Sequence, residues 1–318
     1  MAATWRVLVG SRSFGKASPD HFRVLEAAGC DVIPNTTGRA YRAEELIEAL
    51  RDVDAIITGT DELTRDVIYR AERLKTIAKH GVGLDSIDLQ AARERGVVVS
   101  ATPAAIHDSV ADHTLALLLA VTRHVVPGHV STAAGEWGNY VGVELRGRTL
   151  GLVGFGRIGK GVCLRAQAFG MSVVAYDPFP DEPFAAAHDV RFLPLVDLLS
   201  TSDVVSLHAG VLDASRPLLG ADEVAAMKRG AYLINTARGQ LVDEIALARA
   251  LQEGRLAGAG LDVFASEPSR DSPLLGLPNV VHTPHVAGQT VEGLLRMGDQ
   301  TVENCLRALR GEPPLFQV

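Results

Sequence analysis

Arg238, Glu267 and His285 are the polar residues of this chain whose types and settings fit proton transfer beside a carboxylate-bearing molecule. Each follows a short apolar run: Arg238 in Asn235-Thr-Ala-Arg-Gly239, Glu267 in Asp262-Val-Phe-Ala-Ser-Glu-Pro268, His285 in Thr283-Pro-His-Val-Ala-Gly288. A guanidinium binds a carboxylate through two parallel hydrogen bonds and polarises a neighbouring carbonyl. An imidazole titrates near neutral pH and exchanges the proton that accompanies hydride transfer. A glutamate beside it would stabilise the protonated ring and fix its tautomer. Taken singly, an Arg before Gly caps a turn, a Glu before Pro is usually a solvated loop residue, and a His after Pro is more often structural. Their joint occurrence carries the reading.

A second constellation lies upstream, in Thr149-Leu-Gly-Leu-Val-Gly154-Phe-Gly156-Arg157-Ile158-Gly159 followed by Tyr176-Asp177. The run reads as an apolar strand, a glycine turn, a helix opening at Arg157 and a second strand ending in a carboxylate. Gly154 permits the tight turn, Gly156 lets backbone approach a pyrophosphate, and Gly159 lets helix and strand pack closely. The helix start offers unpaired N–H groups to phosphates. A glycine triplet alone is weak, but Asp177, eighteen residues after Gly159, supplies the context that the dinucleotide motif requires. A carboxylate there accepts bonds from ribose hydroxyls and repels a 2′-phosphate, and the loop Pro178–Pro183 holds no Arg or Lys. NAD is expected over NADP.

The elements that must position these residues alternate along the chain. Strands are expected at Arg6–Val9, Asp31–Ile33, Ala55–Thr58, Thr76–Lys79 and Val97–Val99, with amphipathic helices at Asp20–Ala28, Ala43–Leu50, Thr64–Ala71 and Ile87–Arg95. Pro103 can open a long apolar helix from Ala104 to about Val126. A second series follows, with strands at Leu150–Val153, Ser172–Tyr176, Val190–Phe192, Val204–Leu207, Tyr232–Asn235, Ala259–Val263 and Val280–His282, and a last helix from Thr290 to Arg310. This alternation predicts an α/β chain of two doubly wound parallel-sheet domains. In such sheets ligands sit beyond the carboxyl ends of the strands, where the three polar residues would converge with the dinucleotide. The pattern leaves open which half takes the last helix.

Composition sets the outer bounds. At 318 residues the chain is long enough for two domains, and 47% apolar with 22% charged residues describes an ordinary globular protein. A net charge of −7 with scattered basic residues argues against nucleic-acid or acidic-membrane partners. Cys30, Cys163 and Cys305 have neither disulfide-framework nor metal-ligand spacing, so no metal is expected. With no signal-peptide pattern and no helix able to span a bilayer comfortably, a cytoplasmic protein is expected.

These motifs are together similar to those of the D-isomer-specific 2-hydroxyacid dehydrogenases, in the group of D-3-phosphoglycerate dehydrogenase. The resemblance rests on Gly154–Gly159, on Leu233-Ile-Asn-Thr-Ala-Arg-Gly239 with Leu241-Val-Asp-Glu244, on Gly260-Leu-Asp-Val-Phe264 with Glu267-Pro268, and on Thr283-Pro-His285. It implies a flavodoxin-like substrate domain from residues 1–102 and 287–318, and a Rossmann NAD-binding domain at 103–286. Arg238 resembles the substrate-orienting arginine, His285 the acid/base and Glu267 its paired carboxylate. Cofactor contacts are implied for Gly154, Gly156, Arg157, Ile158 and Gly159 at the pyrophosphate and Asp177 at the ribose. Thr236, Ala237 and Asp262 are implied at the nicotinamide, and Arg238, His285 and Gly288 as further cofactor contacts. Gly81-Val82-Gly83-Leu-Asp85 looks like the loop whose Val82 and Gly83 amides hold the substrate carboxylate, and glycines do expose N–H groups to anions. Relatives are usually homodimers through the NAD-binding domain, using the helix near Ala111–Val121 and the arm with Trp137; core packing equally explains that helix's apolar surface.

The implied reaction is hydride transfer between a D-2-hydroxy acid and its 2-oxo acid, with D-3-phosphoglycerate as one substrate and glyoxylate or hydroxypyruvate as alternatives. Lys79 stands where phosphoglycerate-specific relatives often carry a basic residue, yet it equally reads as a surface lysine with its ammonium in water. Other activities on this scaffold are phosphite-type anion oxidation and NAD-sensing corepression. His208-Ala-Gly-Val-Leu-Asp213 departs from a family stretch richer in Pro and Thr, and Asp112 stands where glutamate is common. No serine feedback control is expected, since no regulatory segment follows Val318.

Overall fold

Strand β1 (Trp5–Val9) shows how the first sheet is built. Val7 and Val9 join the core on one face and Leu8 the core on the other, because successive side chains of a strand alternate sides. The computed structural model describes residues 4–211 and 215–318. They fall into two compact units, one running to Ile106 and resuming over Gln289–Val318, the other spanning His107–Gly288. Leu212 and Asp213, the end of the stretch that departs from the family pattern, lie outside the described residues.

In the first unit β1 is followed by α1 (Asp20–Ala27), β2 (Cys30–Pro34), α2 (Ala43–Ala49), β3 (Ala55–Thr58), α3 (Arg65–Arg70), β4 (Thr76–Lys79), α4 (Leu89–Glu94) and β5 (Val98–Ser100). The sheet is parallel in the order β2-β1-β3-β4-β5, which is the flavodoxin-like order. Strands β3 and β4 are buried at every position, as a parallel sheet covered on both sides requires. One face carries Leu8, Ile56 and Ile77 against Leu46, Val67 and Ile68. The other carries Val7, Val9 and Ile57 against Val302, Cys305, Leu306 and Leu309 of the final helix, α12 (Val291–Leu309). That three-and-four spacing is the apolar stripe of a helix laid on a sheet, each fully buried Leu or Ile contributing roughly 1.5–3 kcal/mol.

The second unit opens with α5 (His107–Thr122) and α6 (Val125–Ala133). Then come β6 (Thr149–Val153), α7 (Arg157–Ala168), β7 (Ser172–Tyr176), α8 (Glu182–Ala187), β8 (Arg191–Phe192), α9 (Leu195–Thr201) and β9 (Val204–Leu207). The unit closes with α10 (Ala221–Ala226), β10 (Tyr232–Asn235), α11 (Glu244–Gln252), β11 (Gly258–Leu261) and β12 (Val280–His282). Its seven parallel strands run β12-β11-β10-β9-β6-β7-β8. The chain leaves β6 toward β7 and β8, then returns to β9 on the other side, and this reversal creates the crevice at which doubly wound sheets bind ligands.

The single long helix expected from Ala104 to Val126 is instead two. Helix α5 begins at His107 and stops at Thr122; His124 adopts a left-handed φ of 52°, and α6 restarts at Val125. Pro127 explains the break, because its ring would collide with the Arg123 carbonyl of a continuous helix yet is tolerated in a first turn. The freed Thr122 carbonyl accepts the Val143 amide at 3.0 Å. Ala111, Leu115, Leu117, Leu118 and Val121 of α5 are buried in the core of this unit. In the stretch after α5, Val125, Val126 and Val130 on α6 are exposed, with Trp137 (92% exposed) and Val141 (82%) beyond it. No helix among the described residues is long and apolar enough to cross a membrane.

Candidate active site

The glycine turn after β6 lies at the strand-order reversal. Gly154 has a φ of 95°, and a Cβ there would stand 2.6 Å from the carbonyl carbon of His208, so the turn against the end of β9 accepts only glycine. Gly156, the N-cap of α7, offers no side-chain cap, and the space where its side chain would be is open. The first-turn amides of Arg157, Ile158 and Gly159 are therefore available to an anion, at the positive end of a 12-residue helix. A Cβ on Gly159 would run into the Gly154 carbonyl oxygen, which is the close helix–turn packing read from the sequence. His208, partly buried beside this turn with Nε2 2.8 Å from Ser206 Oγ, has its ring withdrawn from water, which pushes its pKa down to about 3 and keeps it neutral.

Asp177, just past β7, accepts the Phe155 amide at 2.7 Å and the Phe179 amide at 2.8 Å, one on each oxygen. The carboxylate thereby fixes the middle of the glycine turn while each oxygen keeps a lone pair. The loop after it holds no basic residue of its own, but Lys160 of α7 reaches it, pairing with Asp181 and lying 5.1 Å from the centre of the Phe184 ring. A cation supplied by another element is invisible to a reading of the loop alone.

Arg238 and Glu267 come from the turns after β10 and β11. The Asn235 side chain ties the first turn, donating to the Arg238 carbonyl at 2.8 Å and accepting the Ala237 amide at 3.0 Å. Thr236 is buried, its hydroxyl 3.0 Å from that of Thr114 on α5, whose own proton goes to the Val110 carbonyl. Arg238 is half-buried and donates to the Ala237 carbonyl at 2.7 Å. Glu267 accepts the Phe264 amide at 3.1 Å through Oε1 and faces His285 Nδ1 at 2.6 Å through Oε2. Burial pushes the Glu267 carboxyl up, but the hydrogen bond and charge of His285, the Phe264 amide and the Arg238 charge outweigh it and hold the group below its ordinary value. The structure thus brings all three residues to one neighbourhood, with His285 half-exposed.

His285 itself has a φ of 54°, unusual for a residue with a side chain. Its amide is held by the Asp262 carbonyl at 2.8 Å and the Thr283 carbonyl at 3.1 Å. Asp262 is 1% exposed, and its carboxylate accepts the Thr283 hydroxyl at 2.5 Å and the amides of Val286 and Ala287 at 2.9 and 2.8 Å. Those bonds make Asp262 an anchor of the His285 loop. Gly288 ends this unit.

Lys79, Val82 and Gly83 belong to the first unit. The surface-lysine reading of Lys79 is overturned: it is 7% exposed, donates to the Gly59 carbonyl, and its stem lies against Gly81, whose φ is 148°. Neither the Val82 nor the Gly83 amide donates to an acceptor among the described residues. No group of three His, Cys, Asp or Glu side chains that would hold a metal occurs among the described residues.

The pattern of the D-isomer specific 2-hydroxyacid dehydrogenase NAD binding domain matches residues 115–287. Over 277 residues the chain is 41% identical to glyoxylate reductase of Korarchaeum cryptofilum, covering 85% of this chain and 83% of that one. The chain belongs to the D-isomer specific 2-hydroxyacid dehydrogenase family. Membership makes it an NAD-dependent oxidoreductase acting on 2-hydroxy acids. It is equally 41% identical, over 298 residues, to D-3-phosphoglycerate dehydrogenase of Methanocaldococcus jannaschii, covering 92% of this chain but 56% of that protein. The chain therefore spans little more than half the length of that relative. Among solved structures, the TT0316 protein of Thermus thermophilus is 42% identical with a TM-score of 0.87, covering 98% of this chain and 99% of that one.

The residues present fit the family's dinucleotide. Gly154 lets the turn close against His208, the space beside Gly156 is open, the first-turn amides of α7 are uncapped, and Asp177 stands at the end of the neighbouring strand. Sequence reasoning missed Lys160, Thr114 and the contacts of His113 on α5 with the Thr283 loop. No local spacing signals them, because each meets its partner only after a helix packs on the sheet.

Proposed function

We propose that this dehydrogenase interconverts a small D-2-hydroxy acid and its 2-oxo acid, in the class of glyoxylate and hydroxypyruvate rather than 3-phosphoglycerate. The 2.6 Å contact between Glu267 and His285, beside the Arg238 charge, carries the reading of the chemistry. The unit containing the glycine turn is assigned as the NAD-binding half and the other as the substrate-binding half. NADH, when bound, supplies the hydride for C2 of the oxo acid. Arg238 pairs with the substrate carboxylate and polarises its C2 carbonyl. Glu267 accepts a hydrogen bond from the Nδ1–H of His285, which orients the ring so that Nε2 delivers a proton to the oxygen at C2. In the first unit the Val82 and Gly83 amides have no acceptor among the described residues, which suits a glycine loop that binds an anion.

The choice of a small acid rests on Lys79. The ammonium through which a distal phosphate would be met is buried and engaged with the Gly59 carbonyl. A homodimer through the second unit accords with the exposed apolar side chains on α6 and around Trp137; light scattering tests it.

The decisive experiment follows NADH absorbance with glyoxylate, hydroxypyruvate and phosphorylated 2-oxo acids, then repeats it with His285→Ala. The variant is expected to lose about 10²- to 10⁴-fold in kcat while still binding NADH. Unchanged turnover removes His285 from the mechanism. A kcat/KM for 3-phosphoglycerate oxidation above that for the small hydroxy acids overturns the substrate class. NADH binding without reduction of any oxo acid favours a sensor.

A further inference from the structure

His113 lies in the middle of α5, remote in sequence from Arg238, Glu267 and His285, and its ring is 23% exposed. Its Nε2 stands 2.9 Å from the Thr283 hydroxyl and 3.6 Å from Asp262 Oδ1. The hydrogen inventory fixes the direction of these contacts. The Thr283 hydroxyl gives its proton to Asp262 at 2.5 Å, so it offers His113 only a lone pair. His113 must therefore carry its proton on Nε2 and donate into the Thr283–Asp262 pair.

That pair holds the loop bearing His285. The Asp262 carboxylate takes the Thr283 hydroxyl and the Val286 and Ala287 amides, and its main-chain carbonyl takes the His285 amide. Between these anchors His285 keeps a left-handed φ of 54°, a conformation that persists in a residue with a Cβ only where the surroundings over-determine it. Asp262 is moreover a carboxylate with 1% exposure, whose charge needs nearby donors to be tolerated. His113 is the side-chain donor that reaches this network from the helix side.

We infer that His113 is a positioning residue for the proton-transfer step. Through Thr283 and Asp262 it locks the 283–287 loop in the geometry that presents the His285 imidazole to substrate. The inference rests on the reading of His285 as the acid/base.

The contrast between His113→Gln and His113→Asn tests it. A glutamine amide places its N–H near the position of Nε2, while asparagine reaches only as far as Nδ1. His113→Asn and His113→Leu are expected to lose about 10- to 100-fold in kcat, the scale of an ångström-sized misplacement, with KM for the oxo acid and Kd for NADH within about threefold. His113→Gln is expected to recover most of that loss. Thr283→Val should lose a similar factor, and the His113→Leu/Thr283→Val pair should be no worse than the poorer single variant, because both act through one network. Full kcat in His113→Asn overturns the inference, and so does a loss shared equally by KM, NADH affinity and melting temperature. His285→Ala, assayed in parallel, separates the two levels. An inactive His285→Ala beside a fully active His113→Asn defeats this inference alone, whereas an active His285→Ala defeats the reading beneath it. Should the leucine variant not fold, the Gln and Asn pair, both polar and of similar size, carries the comparison.

Discussion

Gly239 and Phe264 share one space: a Cβ on Gly239 would overlap the main-chain carbonyl of Phe264. The glycine directly follows Arg238, and the Phe264 amide is the one that binds Glu267 Oε1 at 3.1 Å. The backbone approach thus sets the spacing of the arginine-bearing and glutamate-bearing turns. Gly239→Ala must push the turns apart by an ångström or more, and we expect kcat/KM to fall at least ~10²-fold. The melting temperature should fall with it. A variant within threefold of the parent would show that the two turns move independently.

Glu267 stays ionised through neutral pH. Burial raises its pKa, but the His285 bond and charge, the Phe264 amide and Arg238 together hold it below the ordinary carboxylate value of 4.5. Its folded-state pKa is depressed, so the stability it contributes is present above pH 4.5 and disappears as the pH falls through the lower folded value. Glu267→Gln keeps an oxygen to receive the Nδ1 proton but removes the charge. We expect kcat to drop about 10- to 100-fold, and the acid-induced loss of stability in the parent to be shallower in the variant. Urea midpoints measured from pH 5.5 down through the acid range below pH 4.5 check the second point, and an unchanged slope there sinks it.

The fold was legible where one periodicity dominated. Strands such as Ser172–Tyr176, Val204–Leu207 and Tyr232–Asn235 are short apolar runs bounded by turn residues, and the observed elements have those same ends. The break after Thr122 was not legible, because apolar residues continue through Val125 and Val126 and only the reach of Pro127 back to Arg123 forbids one helix. The proximity of Glu267 to His285 was legible because each follows a strand in one parallel sheet. The anchoring of Asp262 by its own loop, and the contact of His113 with Thr283, depend on side-chain geometry that no spacing encodes.

Asp177 has two tasks, and a substitution should separate them. It fixes the Phe155 and Phe179 amides, so Asp177→Ala leaves two donors unpaired, at about 1–3 kcal/mol for each that is shielded from water. At the end of the strand after the glycine turn, we propose that it also presents negative charge toward the position a 2′-phosphate would take. We expect Asp177→Ala to weaken NAD binding and to reduce the ratio of kcat/KM for NAD over NADP at least about tenfold. Asp177→Asn, which retains one acceptor oxygen, should recover part of the affinity but not the discrimination. An unchanged coenzyme ratio in both variants would take Asp177 out of the choice.

His80 makes the first unit sensitive to acid. Burial, with smaller contributions from the charges of His21 and Lys79, pushes its pKa from 6.5 down to about 3. The Thr301 hydroxyl gives its proton to the Met297 carbonyl at 2.7 Å, so at 3.2 Å it can only accept from His80 Nδ1. Nε2 is then a bare lone pair, buried and without a partner among the described residues. Above pH 6.5 both folded and unfolded chains carry a neutral ring and stability does not respond. Between about 6.5 and 3 the unfolded chain takes up a proton that the folded chain refuses, so stability falls as the pH falls, by up to roughly 1.4 kcal/mol per pH unit. His80→Asn keeps a donor near Nδ1 for Thr301 and cannot titrate. The slope of unfolding free energy against pH between 6.5 and 4.5 should therefore be shallower in this variant by about one proton. Equal slopes in parent and variant would mean that the ring protonates without unfolding the sheet around it.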